Sequence, residues 1–195
     1  MQGKLEVAID SFKKAIELKP DFDFCRRDLC RVLFQTERFD AAKTLVSEGI
    51  ALNPQFADFH YYLGNLLSHE KALDKAINSY HNALAIQPDY AEVHNNLGKA
   101  FCEQGNLEAA IQSYQKASSI TPDDKSIHNN MGDVLHRLRQ FDLAIHYWQK
   151  VVSATPFDAY AHNNLGASLL ETGKIQAAIE CFQIALSIKP DFINA

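Results

Sequence analysis

Hydrophobic residues recur along the chain at spacings of three and four, which is the pattern of one face of an α-helix. The amphipathic stretches come in pairs. Leu97 and Phe101 belong to the first stretch of one pair, and Ala110 and Tyr114 belong to the second. A short polar segment containing Gly105 separates the two stretches, as expected of a turn. The pattern therefore predicts helical hairpins whose two helices pack together through their apolar faces.

The six prolines divide the chain into equal repeats. Each lies 34 residues after the one before it: Pro20, Pro54, Pro88, Pro122, Pro156 and Pro190. Because proline lacks an N–H and cannot continue a helix, each marks the end of a hairpin. With proline at position 32, the full repeats are 23–56, 57–90, 91–124, 125–158 and 159–192. The Pro-Asp pairs at 88–89, 122–123 and 190–191 also predict that the aspartate caps the following helix.

Small and large residues recur at fixed positions of the repeat. Position 8 is Cys30, Gly64, Gly98, Gly132 and Gly166, and position 20 is Ala42, Ala76, Ala110, Ala144 and Ala178. Position 24 is Val46, Tyr80, Tyr114, Trp148 and Phe182. A glycine inside a helix costs about 1 kcal/mol relative to alanine, so its recurrence needs a packing reason. We expect two helix backbones to approach closely at the small residues, with the position-24 side chain filling the adjacent space.

This combination of columns resembles the tetratricopeptide repeat (TPR) family and covers essentially the whole chain. The resemblance implies an all-α fold, a right-handed α-solenoid of stacked helix–turn–helix repeats. The pentatricopeptide family, whose helical hairpins bind RNA, is the nearest alternative. Its arrays are basic and lack the glycine, alanine and proline columns.

Two features depart from the family pattern. Position 4, often Trp in the family, is histidine in four repeats: His60, His94, His128 and His162. Repeat 23–56 has Arg26, Cys30, Lys43, Val46 and Gly49 at family positions. We expect that repeat to pack most loosely or to be specialised.

The repeat frame runs past both ends of the chain. Residues 1–22 occupy positions 13–34, with Gly3 at an inter-helix turn, and residues 193–195 begin a further repeat. We therefore expect a single array, residues 1–195, excised from a longer protein or truncated. The apolar faces around Phe12 and around Ile179 and Phe182 would then lack covering helices. End-to-end self-association through these uncapped termini would hide them.

The resemblance also implies a ligand-binding surface. In the TPR family, one side of the first helix of each repeat lines a concave groove, and positions 5, 6 and 9 lie on that side. The candidate peptide-binding residues at these positions are Arg27, Arg31, Tyr61, Tyr62, Asn65, Asn95, Asn96, Lys99, Asn129, Asn130, Asn163 and Asn164. Arg27 and Arg31 predict a place for an acidic ligand group or, equally, a solvated charged face. Tyr61 and Tyr62 add apolar surface.

Paired asparagines at positions 5 and 6 recur in three successive repeats. Asparagine is a mediocre helix former, so its recurrence on a helix requires an explanation. A carboxamide offers both a donor and an acceptor, and can therefore hold the C=O and N–H of an extended peptide backbone. The column resembles the asparagine ladder in the superhelical TPR region of O-linked N-acetylglucosamine transferase. Alternatively, the asparagines cap helices, bond to neighbouring repeats, or reflect duplication of one ancestral repeat.

Composition excludes several classes of function. The net charge of −5 and pI near 5.9 argue against a nucleic-acid partner. No apolar run is long enough for a membrane helix, and no signal peptide is visible. The four cysteines form no C-x-x-C pair, which argues against a disulfide framework or a structural zinc site. We expect reduced thiols and a cytoplasmic location.

The sequence shows no chemistry that would indicate an enzyme or a cofactor. It has no Gly-rich phosphate loop, no nucleophile motif and no H-E-x-x-H. The histidine column cannot chelate a metal. Its members lie on different hairpins, and helices pack about 8–10 Å apart. Zinc needs every ligand nitrogen about 2.0–2.1 Å away. We expect these histidines to pack between helices.

The sequence therefore predicts a non-catalytic protein–protein interaction scaffold. It would bind an extended peptide segment of a protein partner in the concave groove. Two alternatives remain open. The chain could be the substrate-docking module of a larger enzyme, such as a glycosyltransferase, or a self-assembling scaffold.

Overall fold

The computed structural model describes residues 2–191, with side chains from residue 5 onward. Over that range it contains eleven α-helices and no β-strand. The helices are α1 (Gln2–Leu18), α2 (Asp23–Gln35), α3 (Phe39–Leu52), α4 (Ala57–His69), α5 (Leu73–Ile86), α6 (Ala91–Gln104), α7 (Leu107–Ile120), α8 (Lys125–Arg137), α9 (Phe141–Ala154), α10 (Ala159–Glu171) and α11 (Ile175–Ile188).

The helices follow the repeat frame. The first helices of the five full repeats begin at residues 23, 57, 91, 125 and 159, and the second helices at 39, 73, 107, 141 and 175. This confirms the all-α hairpin fold that the periodicity predicts. One detail was wrong: Gly3 lies inside α1 and not at a turn, because the helix already begins at Gln2. Residues 192–195, where the further repeat was predicted to begin, lie outside the described residues.

The chain forms two compact units, which we call the N-terminal unit (up to Ala100) and the C-terminal unit (from Phe101). The core of the N-terminal unit centres on Leu29, Cys30 and Leu33 of α2, packed with residues such as Phe59 and Leu66 of α4. That all repeats form a single array stays a prediction.

The core of the C-terminal unit again uses positions 7 and 11 of a first helix. Met131 and Leu135 of α8 pack with Trp148 of α9 and with Leu165 and Leu169 of α10. Each unit therefore buries the apolar stripe of a first helix between its own second helix and the neighbouring repeat.

Close approach at position 8 explains the glycine column. A Cβ built on Gly132 would lie 2.6 Å from Cε2 of Trp148, and one on Gly166 would lie 2.8 Å from Cε1 of Phe182. A Cβ on Gly64 would overlap the Tyr80 ring in the same way. In these three hairpins the position-24 ring packs directly on the backbone of the first helix, which confirms the predicted small-against-large packing.

Repeat 23–56 packs its two helices together with different residues. Cys30 at position 8 faces the smaller Val46 at position 24, and both are 0% exposed. Arg26 at position 4 is buried, and its Nη1 lies 3.1 Å from Oε2 of Glu48. Gly49 leaves room for the aliphatic part of the Arg26 side chain, since a Cβ at residue 49 would lie 2.8 Å from Cδ of Arg26. The repeat is specialised, and its two helices are in less close contact than those of the hairpins α4–α5, α8–α9 and α10–α11, as expected.

Position 4 bonds to the proline that ends the preceding repeat. The side-chain nitrogen lies 2.9–3.0 Å from the proline carbonyl oxygen in four junctions: Arg26 to Pro20, His60 to Pro54, His94 to Pro88 and His162 to Pro156. At the fifth junction, burial and the nearby Lys150 lower the pKa of His128, against a smaller opposing effect of the Pro122 carbonyl. At four junctions, position 4 therefore links consecutive repeats through a contact between residues six apart, whereas Nε2 of His128 is buried without a hydrogen-bond partner.

The turn inside each hairpin needs a left-handed residue at position 15. Gly105 and Gly173, the two predicted turn glycines, have φ of 83° and 75°. The same position has φ of 57° to 60° at Glu37, Lys71 and Arg139. The backbone geometry is thus conserved between repeats while only two of the five carry the residue best suited to it.

The capping prediction was wrong by one residue. The side chain of Asp124 accepts hydrogen bonds from the N–H groups of Ser126 and Ile127, and so caps α8. Asp158 caps α10 in the same way. Asp123 does not cap α8, because Pro122 and Asp123 form the turn that precedes the cap. The capping position is therefore 34 and not 33.

The predicted end faces differ in exposure. Ile179 is 42% exposed, whereas Phe12 and Phe182 are half-buried against the cores of their units. End-to-end self-association stays a prediction.

The position-15 geometry predicts opposite effects of two substitutions. Gly105→Ala should lower the free energy of unfolding by about 1–2 kcal/mol, because alanine disfavours φ near 83°. No atom lies within 4 Å of the added methyl, so sterics elsewhere will not contribute. Glu37→Gly should raise stability by up to about 1 kcal/mol. Urea denaturation measures both, and a stabilising Gly105→Ala would contradict the argument.

The position-8 contact predicts a favourable coupling between two destabilising substitutions. Gly132→Ala should cost about 1–3 kcal/mol, because its methyl group overlaps Trp148. Trp148→Val should cost several kcal/mol through the cavity it leaves. Together they approximate the Cys30–Val46 pair, so the double variant should lose less than the sum. Strict additivity in a double-mutant cycle would show that the two positions do not share one space.

Candidate functional site

All twelve candidate residues lie on first helices of the repeats. Ten are half-buried, and Arg31 and Lys99 are exposed. The N-terminal unit holds eight of them: Arg27, Arg31, Tyr61, Tyr62, Asn65, Asn95, Asn96 and Lys99. The C-terminal unit holds Asn129, Asn130, Asn163 and Asn164. Their role in binding stays a prediction, and the geometry of each unit is described separately.

The two arginines are paired with carboxylates of the same surface. Arg27 bonds to Oδ1 of Asp28 through Nε at 3.1 Å and Nη2 at 3.0 Å, and its Nη1 lies 3.7 Å from Oδ2 of Asp58. Arg31 lies 3.5 Å from the same Asp28 oxygen. The Arg27 guanidinium also sits 5.1 Å from the centroid of the Phe24 ring. The formal charges of these two arginines and two aspartates therefore cancel locally.

Three tyrosines form a row beside this charged cluster. The Tyr61 ring centroid lies 5.2 Å from that of Tyr62 and 5.4 Å from that of Tyr90. The Tyr90 hydroxyl donates a short hydrogen bond to Oδ1 of Asp58. Burial raises the pKa of Tyr61, Tyr62 and Tyr90, with smaller contributions from nearby carboxylates. These hydroxyls are therefore protonated and neutral near pH 7.

Asn65 connects two successive repeats through hydrogen bonds of its side chain. Its Oδ1 accepts hydrogen bonds from the Tyr80 hydroxyl at 2.9 Å and from Nδ2 of Asn96 at 2.8 Å. A carbonyl oxygen has two lone pairs, so both are used within the protein. The observed role of Asn65 is to join the position-24 ring of its own repeat to the position-6 asparagine of the next one.

Asn96 is held in a defined orientation as a result. Its Nδ2 donates to Asn65 and also lies 3.5 Å from the Tyr61 hydroxyl oxygen. Hydrogen bonds from Asn65 and Asn96 act on Tyr61 to lower its pKa, against the larger effect of burial. The amide nitrogen of Asn96 therefore faces Asn65 and Tyr61.

The asparagine pair of α10 has a different arrangement. Nδ2 of Asn163 donates to Oδ1 of Asn164 at 3.3 Å, and Oδ1 of Asn163 is buried without a hydrogen-bond partner. The main-chain oxygen of Asn164 accepts from the Ser168 hydroxyl at 3.0 Å, and Ser168 also contacts Nδ1 of His136 at 2.9 Å. The C-terminal unit thus also links its two first helices, α8 and α10, through a polar contact.

Asp58, Tyr80 and Tyr90 contact the candidate residues but were missing from the predicted set. Asp58 occupies position 2 of its repeat, on the same helix side as positions 6 and 9, and its position alone could have identified it. Tyr80 was assigned only to the core. Tyr90 is the last residue of its repeat, outside any helix, so helical periodicity gives no signal for it.

Other chemistry was searched for over the described part of the chain. There, no three or more histidine, cysteine or acidic side chains lie together as a metal site would require. None of the helices between residues 2 and 191 has the length and apolar character needed to span a membrane. The four cysteines are free thiols, and burial raises the pKa of each, to about 12 for Cys30.

The two hydrogen bonds accepted by Asn65 predict a structural cost on its removal. Asn65→Ala should lower the free energy of unfolding by about 1–3 kcal/mol, because Tyr80 is only 1% exposed and loses the acceptor of its hydroxyl. Asn65→Asp keeps an acceptor oxygen and should cost less. In the Tyr80→Phe background, Asn65→Ala should also cost less. Urea denaturation measures these costs. If Asn65→Ala costs the same in the wild type and in Tyr80→Phe, the hydrogen bond between Asn65 and Tyr80 is contradicted.

Sequence models of the tetratricopeptide repeat match the chain at residues 1–66, 126–158 and 159–192. A further TPR repeat model matches residues 70–104 and 98–138. Together these matches cover most of the sequence. Comparison with curated protein sequences finds no match.

Solved structures with the same fold share little sequence identity with the chain. YrrB, described as a TPR protein with an unusual peptide-binding site, superimposes with a TM-score of 0.79 at 20% identity, over 95% of this chain and 96% of YrrB. PilF of Pseudomonas aeruginosa gives 0.86 at 17% identity, over 99% and 88%. MamA from Desulfovibrio magneticus RS-1 gives 0.78 at 16% identity, over 89% and 98%.

The helix pairs, the residue columns and these comparisons agree on the fold. It is an all-α solenoid of helix–turn–helix repeats, the architecture of protein-interaction scaffolds. The chain belongs to the tetratricopeptide repeat family.

Proposed function

We propose that this interaction scaffold holds extended peptide segments of a partner protein along the asparagine-bearing sides of the first helices within each unit. The observation that carries the proposal is the asparagine pair at positions 5 and 6 of α6, α8 and α10. All six side chains are half-buried, so each is held by its surroundings and still reaches solvent. A carboxamide pair that recurs in successive repeats suits a ligand that repeats the same groups, which a polypeptide backbone does.

The hydrogen bonds of Asn96 support this role. An asparagine that is free to rotate loses entropy on binding, whereas one already fixed does not. The Nδ2 of Asn96 is fixed by Asn65, 2.8 Å away, so the carbonyl oxygen is pre-oriented to accept a peptide N–H. Asn65 thus acts as a positioning residue for Asn96, and its own contact with a peptide is the weaker part of the proposal.

The charged residues of the N-terminal unit differ in how well they could pair with an acidic group of the ligand. An acidic ligand group near Arg27 and Arg31 would have to compete with Asp28 and Asp58, which already pair with them. Lys99 is exposed at position 9 of α6 and remains the better candidate for an acidic side chain. The peptide-binding site named for YrrB supports a peptide as the class of ligand.

The proposal predicts a loss of affinity on removing single carboxamides. Peptides are first selected from a random display library on the wild-type chain, and their affinities are measured by calorimetry. Asn96→Ala, and separately Asn130→Ala, should each weaken binding by about 0.5–1.5 kcal/mol, or roughly 2- to 12-fold. The double variant Asn130→Ala/Asn164→Ala should lose more affinity than Asn130→Ala alone.

A matched control is available on α5, where Asn78 and Asn82 are exposed on a second helix. Asn78→Ala/Asn82→Ala should leave the affinity unchanged. If the first-helix variants keep their helical circular dichroism and bind the selected peptides as tightly as the wild type, the asparagines do not hold the ligand.

A further inference from the structure

The N-terminal unit carries a different surface where α4 replaces the asparagine pair with Tyr61 and Tyr62. With Tyr90 they form what we call the tyrosine row, in the order Tyr62, Tyr61, Tyr90. The planes of Tyr61 and Tyr62 are inclined by 57° and those of Tyr61 and Tyr90 by 35°. All three side chains are half-buried, so part of each ring is accessible.

Two of the three hydroxyls in the row are engaged within the protein. Asn96 approaches the Tyr61 oxygen at 3.5 Å, and the Tyr90 hydroxyl donates to Asp58. These bonds fix the orientation of both rings. A ligand side chain at the row therefore meets mainly rigid aromatic surface and few unpaired polar groups.

The charges beside the row disfavour a charged ligand side chain. Asp28 and Asp58 are paired with Arg27, and Asp28 also with Arg31. A cationic or anionic side chain would have to displace one of these partners and leave the other charge unpaired. An uncharged side chain faces no such cost.

In the proposed function, the backbone of the bound peptide is extended and free of internal hydrogen bonds. A polyproline II segment meets both conditions, with three residues per turn and about 3.1 Å per residue. Residues three apart on its surface are therefore about 9 Å apart. This spacing is close to the roughly 8–10 Å that generally separates packed helices.

We propose that the tyrosine row is a side-chain subsite for proline in a polyproline II segment whose backbone is held next to it by Asn96. Aromatic surfaces and prolines pack well, and a segment that is already extended loses little entropy on binding. The inference rests on the proposed function, since it adds selectivity for one side chain to a grip on the backbone.

The test uses two uncharged, fluorescently labelled peptides of equal length, one repeating Pro-Ala-Ser and the other Ala-Ala-Ser. Fluorescence anisotropy titrations with the full chain measure both affinities. The wild type should prefer the proline peptide by about fivefold or more. Asn96→Ala should weaken both peptides by a similar factor, because it acts on the backbone.

Two variants of α4 separate the ring from the hydroxyl. Tyr61→Asn/Tyr62→Asn recreates the asparagine pair of the other repeats, and should remove the preference while both peptides still bind. Tyr61→Phe/Tyr62→Phe keeps the rings and should retain the preference. Circular dichroism checks that both variants fold. If the asparagine variant does not fold, the phenylalanine variant still tests whether the preference depends on the rings and not on the hydroxyls.

The possible failures are distinguishable. If both peptides bind the wild type equally and Asn96→Ala weakens both, the backbone grip stands and the proline subsite is overturned. The subsite is also overturned if the preference survives Tyr61→Asn/Tyr62→Asn or disappears in the phenylalanine variant. If neither peptide binds, the sequence-independent grip itself is contradicted.

Discussion

The packing of a large position-24 side chain against the bare backbone of a first helix is the contact on which the hairpins of α4, α8 and α10 depend. Trp148 on Gly132 and Phe182 on Gly166 leave no space for a Cβ. This contact fixes both the distance and the rotation of the first helix relative to the second. Because the rotation is fixed, positions 5 and 6 are half-buried in every full repeat. The surface residues can therefore vary between repeats without altering the scaffold.

Repeat 23–56 shows how the same constraint can be met by other residues. In this repeat the first helix carries Cys30 where the others carry glycine, and the second helix carries Val46 where the others carry an aromatic residue. Both side chains remain fully buried. Arg26 replaces the usual histidine and still reaches the carbonyl of Pro20, while Gly49 vacates the space that its side chain needs. What the repeats share is thus a set of contacts, each of which can be made by more than one residue type.

Proline spacing and the glycine column were enough to predict the hairpins. The prolines mark where second helices end, and the glycines mark where two helix backbones pack closely. The predicted turn at Gly105 was confirmed for the same reason. The capping residue was misassigned to Asp123, since sequence pattern does not resolve which of two adjacent aspartates lies at the helix start. The internal role of Asn65 and the Tyr90–Asp58 bond could not be predicted. Both depend on side-chain contacts between separate helices that no local pattern encodes.

The bond from position 4 to the preceding proline carbonyl spans only six residues, and this has a kinetic consequence. Closing so short a loop costs little entropy, so a junction can form before the helices on either side are complete. A chain whose tertiary contacts join near neighbours in sequence has low contact order, and such chains fold quickly. Growth of the native structure can then start at several junctions and spread along the chain, with no obligatory long-range step.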